Sequence, residues 1–180
     1  MNLTGTSGTD TRKMALCGLF AAIISVCSWV TVPMSVPFTL QTLAVFAALY
    51  ILGGKLGTAS VCVYISLGAI GLPVFSGFEG GVGKLFGPTG GYIFGFVLIG
   101  LTVWGAQAIF GNKPVITVAA AVIGTVFMYA VGTAWFIAGY AGGITLVQAL
   151  KWCVLPFILP DLLKLGCAVL IGSRVSKMIF

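Results

Sequence analysis

The chain has 180 residues, of which 59% are hydrophobic and only 7% charged, and its formal net charge is +6. Soluble domains carry about 25% charged residues. A mean hydropathy of +1.17 leaves too little polar material to coat a water-facing surface, so the chain belongs in lipid. The nine basic residues stand singly at segment ends, with no cluster or stripe, which excludes a nucleic-acid partner. Histidine is absent, which removes the commonest general base and metal ligand. Cys17, Cys27, Cys62, Cys153 and Cys167 lack metal-type spacing and read as small hydrophobes packed in helices. Neither a cofactor nor a metal site is expected.

A membrane span needs roughly 20 apolar residues, fewer when neighbours shield it, and this length leaves room for about six. The expected fold is therefore an all-α integral membrane bundle of six transmembrane helices. Residues 1–11 are polar and rich in Thr, Ser and Gly. They read as a disordered leader, so residues 1–13 are set apart from a single membrane domain over 14–180. The first apolar run, 14–32, follows Arg12 and Lys13. Further spans follow it and no small-residue cleavage site ends it, so it is read as a retained helix rather than a signal peptide. Pro33 and Pro37 make 33–37 a loop or re-entrant turn. A short span is expected over 39–52, a tight turn at Gly53-Gly54-Lys55, and a third span over 57–72. Residues 73–91 form the longest irregular stretch, rich in glycine but keeping Phe75, Phe78, Leu85 and Phe86. A loop of that length with large apolar side chains reads as a lid. Spans follow over 92–110 and 115–138, separated by a turn at 111–114. Residues 144–155 read as a short helix near the membrane surface. The last span is expected over 160–176, with Pro160 at its start. No convincing internal repeat is present.

Positive charge sets the orientation. With the N-terminus cytoplasmic, the inner face carries Arg12, Lys13, Lys55, Lys113, Arg174 and Lys177, against Lys84 and Lys151 outside. Both termini are then cytoplasmic, and the glycine-rich loop and the 144–155 segment face outward.

Asp161 and Lys164 are the sharpest chemical signal. Three residues apart, they share a helix face. They open the last span, where the helix dipole favours the acid. Ionisable groups at membrane depth usually line a cavity or pathway. The pair is either an anchor for a polar ligand or a structural pair in mutual neutralisation. Glu79 stands at the tip of the loop near Lys84, as a lid residue or a solvated charge. Gln41 is an amide near the start of the second span, available to a ligand or to a helix–helix hydrogen bond. Tyr92 opens the fourth span, either in an interfacial aromatic belt or in a pocket wall. Gly18-x-x-x-Ala22, with Ala21-x-x-x-Ser25 beside it, forms a small-residue strip on the first helix, suited to packing within the bundle or to a partner subunit. There is no Walker motif and no nucleophile–base pair, so enzymatic chemistry is not expected.

Taken together, several segments are similar to one family. They are Val36-Pro37-Phe38-Thr39-Leu40-Gln41-Thr42, Gly71-Leu72-Pro73-Val74-Phe75, Leu85-Phe86-Gly87-Pro88-Thr89-Gly90-Gly91-Tyr92, Gly132-Thr133-Ala134-Trp135, and Pro156 through Lys164. The chain resembles the BioY family, the biotin-binding S components of energy-coupling factor (ECF) transporters, over nearly its whole length. One departure is Pro160, where many relatives place glycine. The resemblance implies six helices with both ends cytoplasmic, in a bacterial plasma membrane. It also implies an outward biotin pocket closed by 33–38 and 73–91. By motif match, Asp161 and Lys164 help hold the polar head of biotin, while Glu79 and Tyr92 fall where the family lines its pocket. The strip of Gly18, Ala21, Ala22 and Ser25 falls where S components dock on the transmembrane coupling subunit, which works with ATPase subunits. The apolar ring and tail of biotin suit Phe75, Phe86, Trp29 and Tyr92. Its carboxylate needs a donor, for which Lys84, a backbone amide and Gln41 are candidates. The alternative reading is a transporter for biotin or another small solute that works without an ATPase partner.

Overall fold

A chain that meets lipid outside and protein inside has little use for a strong polar–apolar stripe, and its helices here are apolar on nearly every side. The computed structural model describes residues 7–33, 37–140 and 142–179, with side chains over 10–33, 37–140 and 142–175. Its elements in order are α1 (Ser7–Trp29), β1 (Thr31–Val32), β2 (Phe38–Thr39), α2 (Gln41–Ile51), α3 (Gly53–Ala69), α4 (Val82–Leu85), α5 (Gly90–Phe110), α6 (Pro114–Tyr140), α7 (Leu146–Cys153) and α8 (Leu155–Ile179). The two strands pair antiparallel, with Thr31 opposite Thr39 and Val32 opposite Phe38. Among the described residues, five stretches are long and apolar enough to cross a membrane: Asp10–Trp29, Gln41–Ala69, Gly90–Phe110, Pro114–Tyr140 and Leu146–Val175.

The second stretch is not one rod. A Cβ on Gly57 would lie 2.8 Å from the Leu49 Cα, whereas residues eight apart in a continuous helix stand about 12 Å apart. The chain therefore folds back between α2 and α3, at Leu52 and Gly53, where Gly53 takes a φ of 80°. The absent side chain at Gly57 lets the two helices touch backbone to backbone. α2 has 11 residues, too few to cross a bilayer alone. It sits in the centre of the bundle, where its neighbours shield it, packed against α1, α3, α5, α6 and α8. Val45, Phe46, Ala48 and Leu49 are buried there. α5 and α6 form the most extensive helix pair. One polar clasp ties three helices: Gln107 accepts from the Gly54 N–H at 2.7 Å and donates to Thr117 Oγ1 at 2.7 Å. Large apolar side chains such as Leu19, Ile109, Val126 and Leu170 face outward, as a lipid-facing surface requires.

Several boundaries differ from the expectations. α1 starts at Ser7, so residues 7–13 extend the first helix, and residues 1–6 lie outside the described chain. The turn foreseen at 53–55 shrinks to Leu52 and Gly53, with Lys55 already in α3. The loop foreseen over 73–91 contains the single turn α4, and α5 begins at Gly90. Residues 34–36 of the expected 33–37 loop lie outside the described chain, but the hairpin flanking them is formed. The 144–155 segment contains α7, opened by a capping box between Thr145 and Gln148.

The largest difference is at the last helix. Pro160 lies inside α8, which begins at Leu155. Asp161 is therefore well past the first turn, and a dipole at its own helix start does not account for its charge. Proline inside a membrane helix is tolerated because neighbouring groups re-satisfy the freed backbone.

Candidate ligand-binding site

α2 and α8 pack side by side and bring residues more than a hundred positions apart into contact. Lys164 Nζ lies 2.8 Å from Asp161 Oδ1. The Thr42 hydroxyl donates to Asp161 Oδ1 at 3.2 Å and accepts from Lys164 Nζ at 3.2 Å. From α6, the Tyr129 hydroxyl donates to Asp161 Oδ2 at 2.6 Å. The ammonium also stands 4.1 Å from the centroid of the Phe38 ring, a cation–π contact. Asp161 is 5% exposed and Lys164 7%. Two charges so deep require each other and a complete set of hydrogen bonds. A carboxylate offers about four acceptor positions and an ammonium three donors. With three donors already on Asp161 and two acceptors already on Lys164, each keeps about one position for a ligand.

This cluster borders a cavity of two lobes. The ionic lobe is lined by Thr42, Tyr129, Asp161 and Lys164, with Cys153 and Phe157 beside them. The second, uncharged lobe is lined by Gln41, Tyr64, Phe75, Ser76, Thr89 and Ile93. Pro37, Thr39, Tyr92 and Phe96 line both lobes and form the waist between them. Gln41 and Thr42 are consecutive on α2, so their side chains point about 100° apart and serve different lobes. Each lobe holds about 50 Å³, far below the roughly 300 Å³ at which small-molecule pockets begin. In this conformation the lobes are too small to hold a ligand of that class.

Tyr92 is held in the waist by its partner helix. Its hydroxyl lies 3.0 Å from Thr133 Oγ1. A Cβ on Gly132 would stand 2.3 Å from the Tyr92 ring, so glycine there is what seats the ring against α6. The Gly132-Thr133 pair singled out in the sequence has this local purpose.

On the far side of Asp161 and Tyr129, a larger groove of about 950 Å³ runs between α6, α7 and α8. Its walls are almost wholly apolar, including Val122, Val126, Ile137, Leu150 and Ile158. Tyr129, Thr133 and Asp161 also border this groove, whereas Lys164, Thr42 and Gln41 line only the smaller cavity, where the polar groups a ligand needs converge.

The other expected site residues fall in two groups. Asp161, Lys164, Gln41, Tyr92 and Phe75 line the cavity. Glu79, Lys84, Phe86 and Trp29 are not in its lining. Glu79 and Lys84 pair with each other at 2.8 Å in the loop after α3. Trp29 stacks on Phe78 with centroids 4.9 Å apart and donates its indole N–H to the Pro73 carbonyl at 2.9 Å. Phe86 is exposed, 6.2 Å from the Trp135 ring. The strip on α1 also splits. Ala21 and Ser25 are buried, while Gly18 and Ala22 face outward. Ala21 and Ser25 thus pack inside the bundle and present no surface to a partner. Sequence reasoning missed Tyr129, Tyr64 and Thr42. Their signal, a hydroxyl inside an apolar helix, is too common to single them out. No group of three or more His, Cys, Asp or Glu that would suit a metal ion occurs among the described residues.

Fold and site together define a multi-pass helical membrane protein with a buried polar cluster inside its bundle. The chain belongs to the BioY family, whose profile matches residues 2–180. It is 42% identical to the Biotin transporter BioY of Thermotoga maritima, over 93% of this chain and 97% of that one. It is 37% identical to the Probable biotin transporter BioY of Pyrococcus horikoshii, over 92% and 96%. Its fold matches the crystal structure of the S-component for biotin from an ECF-type ABC transporter, with a TM-score of 0.81, 28% identity and coverage of 96% and 94%.

Proposed function

We propose that this protein captures biotin and carries it across the membrane as the S component of an ECF transporter. The observation that carries the reading is the buried cluster of Asp161, Lys164, Thr42 and Tyr129 on the wall of a small cavity, in a chain of this family. The ureido ring of biotin has two N–H donors and one carbonyl. The carboxylate of Asp161 accepts one N–H and the ammonium of Lys164 donates to the carbonyl. Tyr92, Phe96 and Phe75 supply apolar wall for the thiophane ring and valeryl chain.

The chain crosses the plasma membrane six times as a single membrane unit, with both termini cytoplasmic in keeping with the distribution of its basic residues. The loop between α3 and α5 then faces outward and covers the cavity. The chain has no nucleotide-binding motif, so the energy for release comes from ATPase subunits through a transmembrane coupling subunit. Gly18 and Ala22 on the outer face of α1 receive that subunit. The protein performs no chemistry on its substrate.

Titration calorimetry of the detergent-purified chain, with desthiobiotin and thiamine as comparisons, tests the reading. Nanomolar-range binding selective for biotin is expected. Absence of binding by well-folded protein overturns it.

A further inference from the structure

We propose that the groove between α6, α7 and α8 is the seat of one acyl chain of an anionic phospholipid, whose phosphate rests on Lys151. The proposal is independent of the ligand in the smaller cavity. α6 and α8 make no extensive contact with each other and are bridged by α7. Their facing sides leave a gap that α6 does not fill, because Ala130, Ala134 and Ala138 follow one another there at single turns. Val126, Ile158 and Leu162 in the walls are exposed, so the gap is open to the surroundings. The hydroxyls in its walls are engaged. Thr125 donates to the Ala121 carbonyl at 2.8 Å, Tyr129 donates to Asp161 at 2.6 Å, and Thr133 pairs with Tyr92 at 3.0 Å. Nothing in the walls therefore asks for a polar occupant.

Shape and setting point to hydrocarbon. The lining on α6 runs from Val122 to Ala138, about 24 Å along a helix. One leaflet of the bilayer core is about 15 Å deep, so an extended acyl chain fits along the groove. Both flanking helices belong to stretches long and apolar enough to cross a membrane. An apolar groove does not hold water, and left empty it forfeits the contacts of its walls. At this depth the bilayer supplies hydrocarbon to fill it.

Charge selects the headgroup. Lys151 follows Leu150, which lines the groove, in α7. It is exposed, as is Trp152 beside it, and a cation next to an indole anchors a helix at a membrane surface. The three acids of the chain, Asp10, Glu79 and Asp161, pair with Lys13, Lys84 and Lys164. Among the described residues no carboxylate pairs with Lys151, and a lipid phosphate supplies the anion.

Native mass spectrometry of the full chain tests this, with the protein released from nanodiscs of equal phosphatidylglycerol and phosphatidylcholine with identical chains. The wild type is expected to retain one phospholipid after looser lipid is stripped, enriched about fivefold in phosphatidylglycerol, the factor for one lysine at an anionic surface. Val126→Trp and Ala134→Phe fill the groove from exposed positions and are expected to lose that lipid. Leu101→Trp, on the exposed side of α5, is expected to keep it. Lys151→Gln is expected to keep a lipid without the preference for phosphatidylglycerol. No retained lipid in the wild type, or equal retention by both filled variants, overturns the proposal. An unchanged preference in Lys151→Gln overturns the headgroup assignment. A wild-type dimer that Val126→Trp dissolves gives the groove to a second copy of the chain, and release of the lipid by saturating biotin gives it to the substrate. Either result overturns the lipid seat.

Discussion

Asp161 and Lys164 stabilise each other at a depth where neither charge is tolerated alone. Asp161→Asn keeps the shape of the side chain but leaves the Lys164 ammonium without its counter-charge. The variant is expected to lose biotin binding and about 3–5 kcal/mol of stability, seen as a lowered Tm in detergent. Adding Lys164→Met is expected to recover the Tm without recovering binding. An Asp161→Asn protein with wild-type Tm and affinity sinks both claims. The pair was legible because its spacing lies within one helical turn. Tyr129 was not, since it reaches Asp161 from 32 positions away and nothing local to it marks the contact. Glu79 and Lys84 show the converse. Charge drew attention to them, and their geometry gives them to each other.

Elements are set by where the backbone can break, and here glycine is more reliable than proline. Gly53 and Gly111, both with positive φ, mark the reversal before α3 and the end of α5, and both breaks were anticipated to within a few residues. Pro160 misled because the rule placing proline at a helix start holds in water, whereas in a packed membrane bundle an interior proline survives. At the α5–α6 seam, Gly132→Ala puts a methyl 2.3 Å from the Tyr92 ring. The ring must move, its bond to Thr133 breaks, and the waist of the cavity changes shape. Biotin affinity is expected to fall about tenfold or more, with an overpacking cost of about 1–3 kcal/mol. Unaltered binding by Gly132→Ala removes the seating role given to this glycine.

The whole molecule was legible in class and not in arrangement. Composition alone placed the chain in a membrane and pointed to about six spans, beside the five stretches long and apolar enough to cross among the described residues. That the shortest major helix, α2, lies at the centre followed from no local feature, because its contacts with α8 join Thr42 to Asp161 across the length of the chain. The same burial decides which side of α1 is free for a partner. Ala22→Leu is expected to weaken co-purification with the coupling subunit while sparing biotin binding. Ala21→Leu, at a position with no exposed surface, is expected to lower the Tm instead. Loss of biotin binding in Ala22→Leu contradicts an outward docking role.

The loop over the cavity is fastened mainly through its own carbonyl groups. Ser28 and Trp29 of α1 hold Val74 and Pro73, while Trp135 and Tyr140 of α6 hold Gly87 and Phe86. The cavity beneath is too small to admit a ligand as it stands, so capture is expected to be timed by release of these fastenings rather than by encounter. In stopped-flow mixing, the observed association rate is expected to level off as biotin concentration rises, at a plateau that Trp29→Phe raises. A rate that climbs linearly without limit means the loop does not set the pace. The plateau makes uptake insensitive to surges in supply, and the slow step that limits arrival also lengthens the time a bound molecule stays.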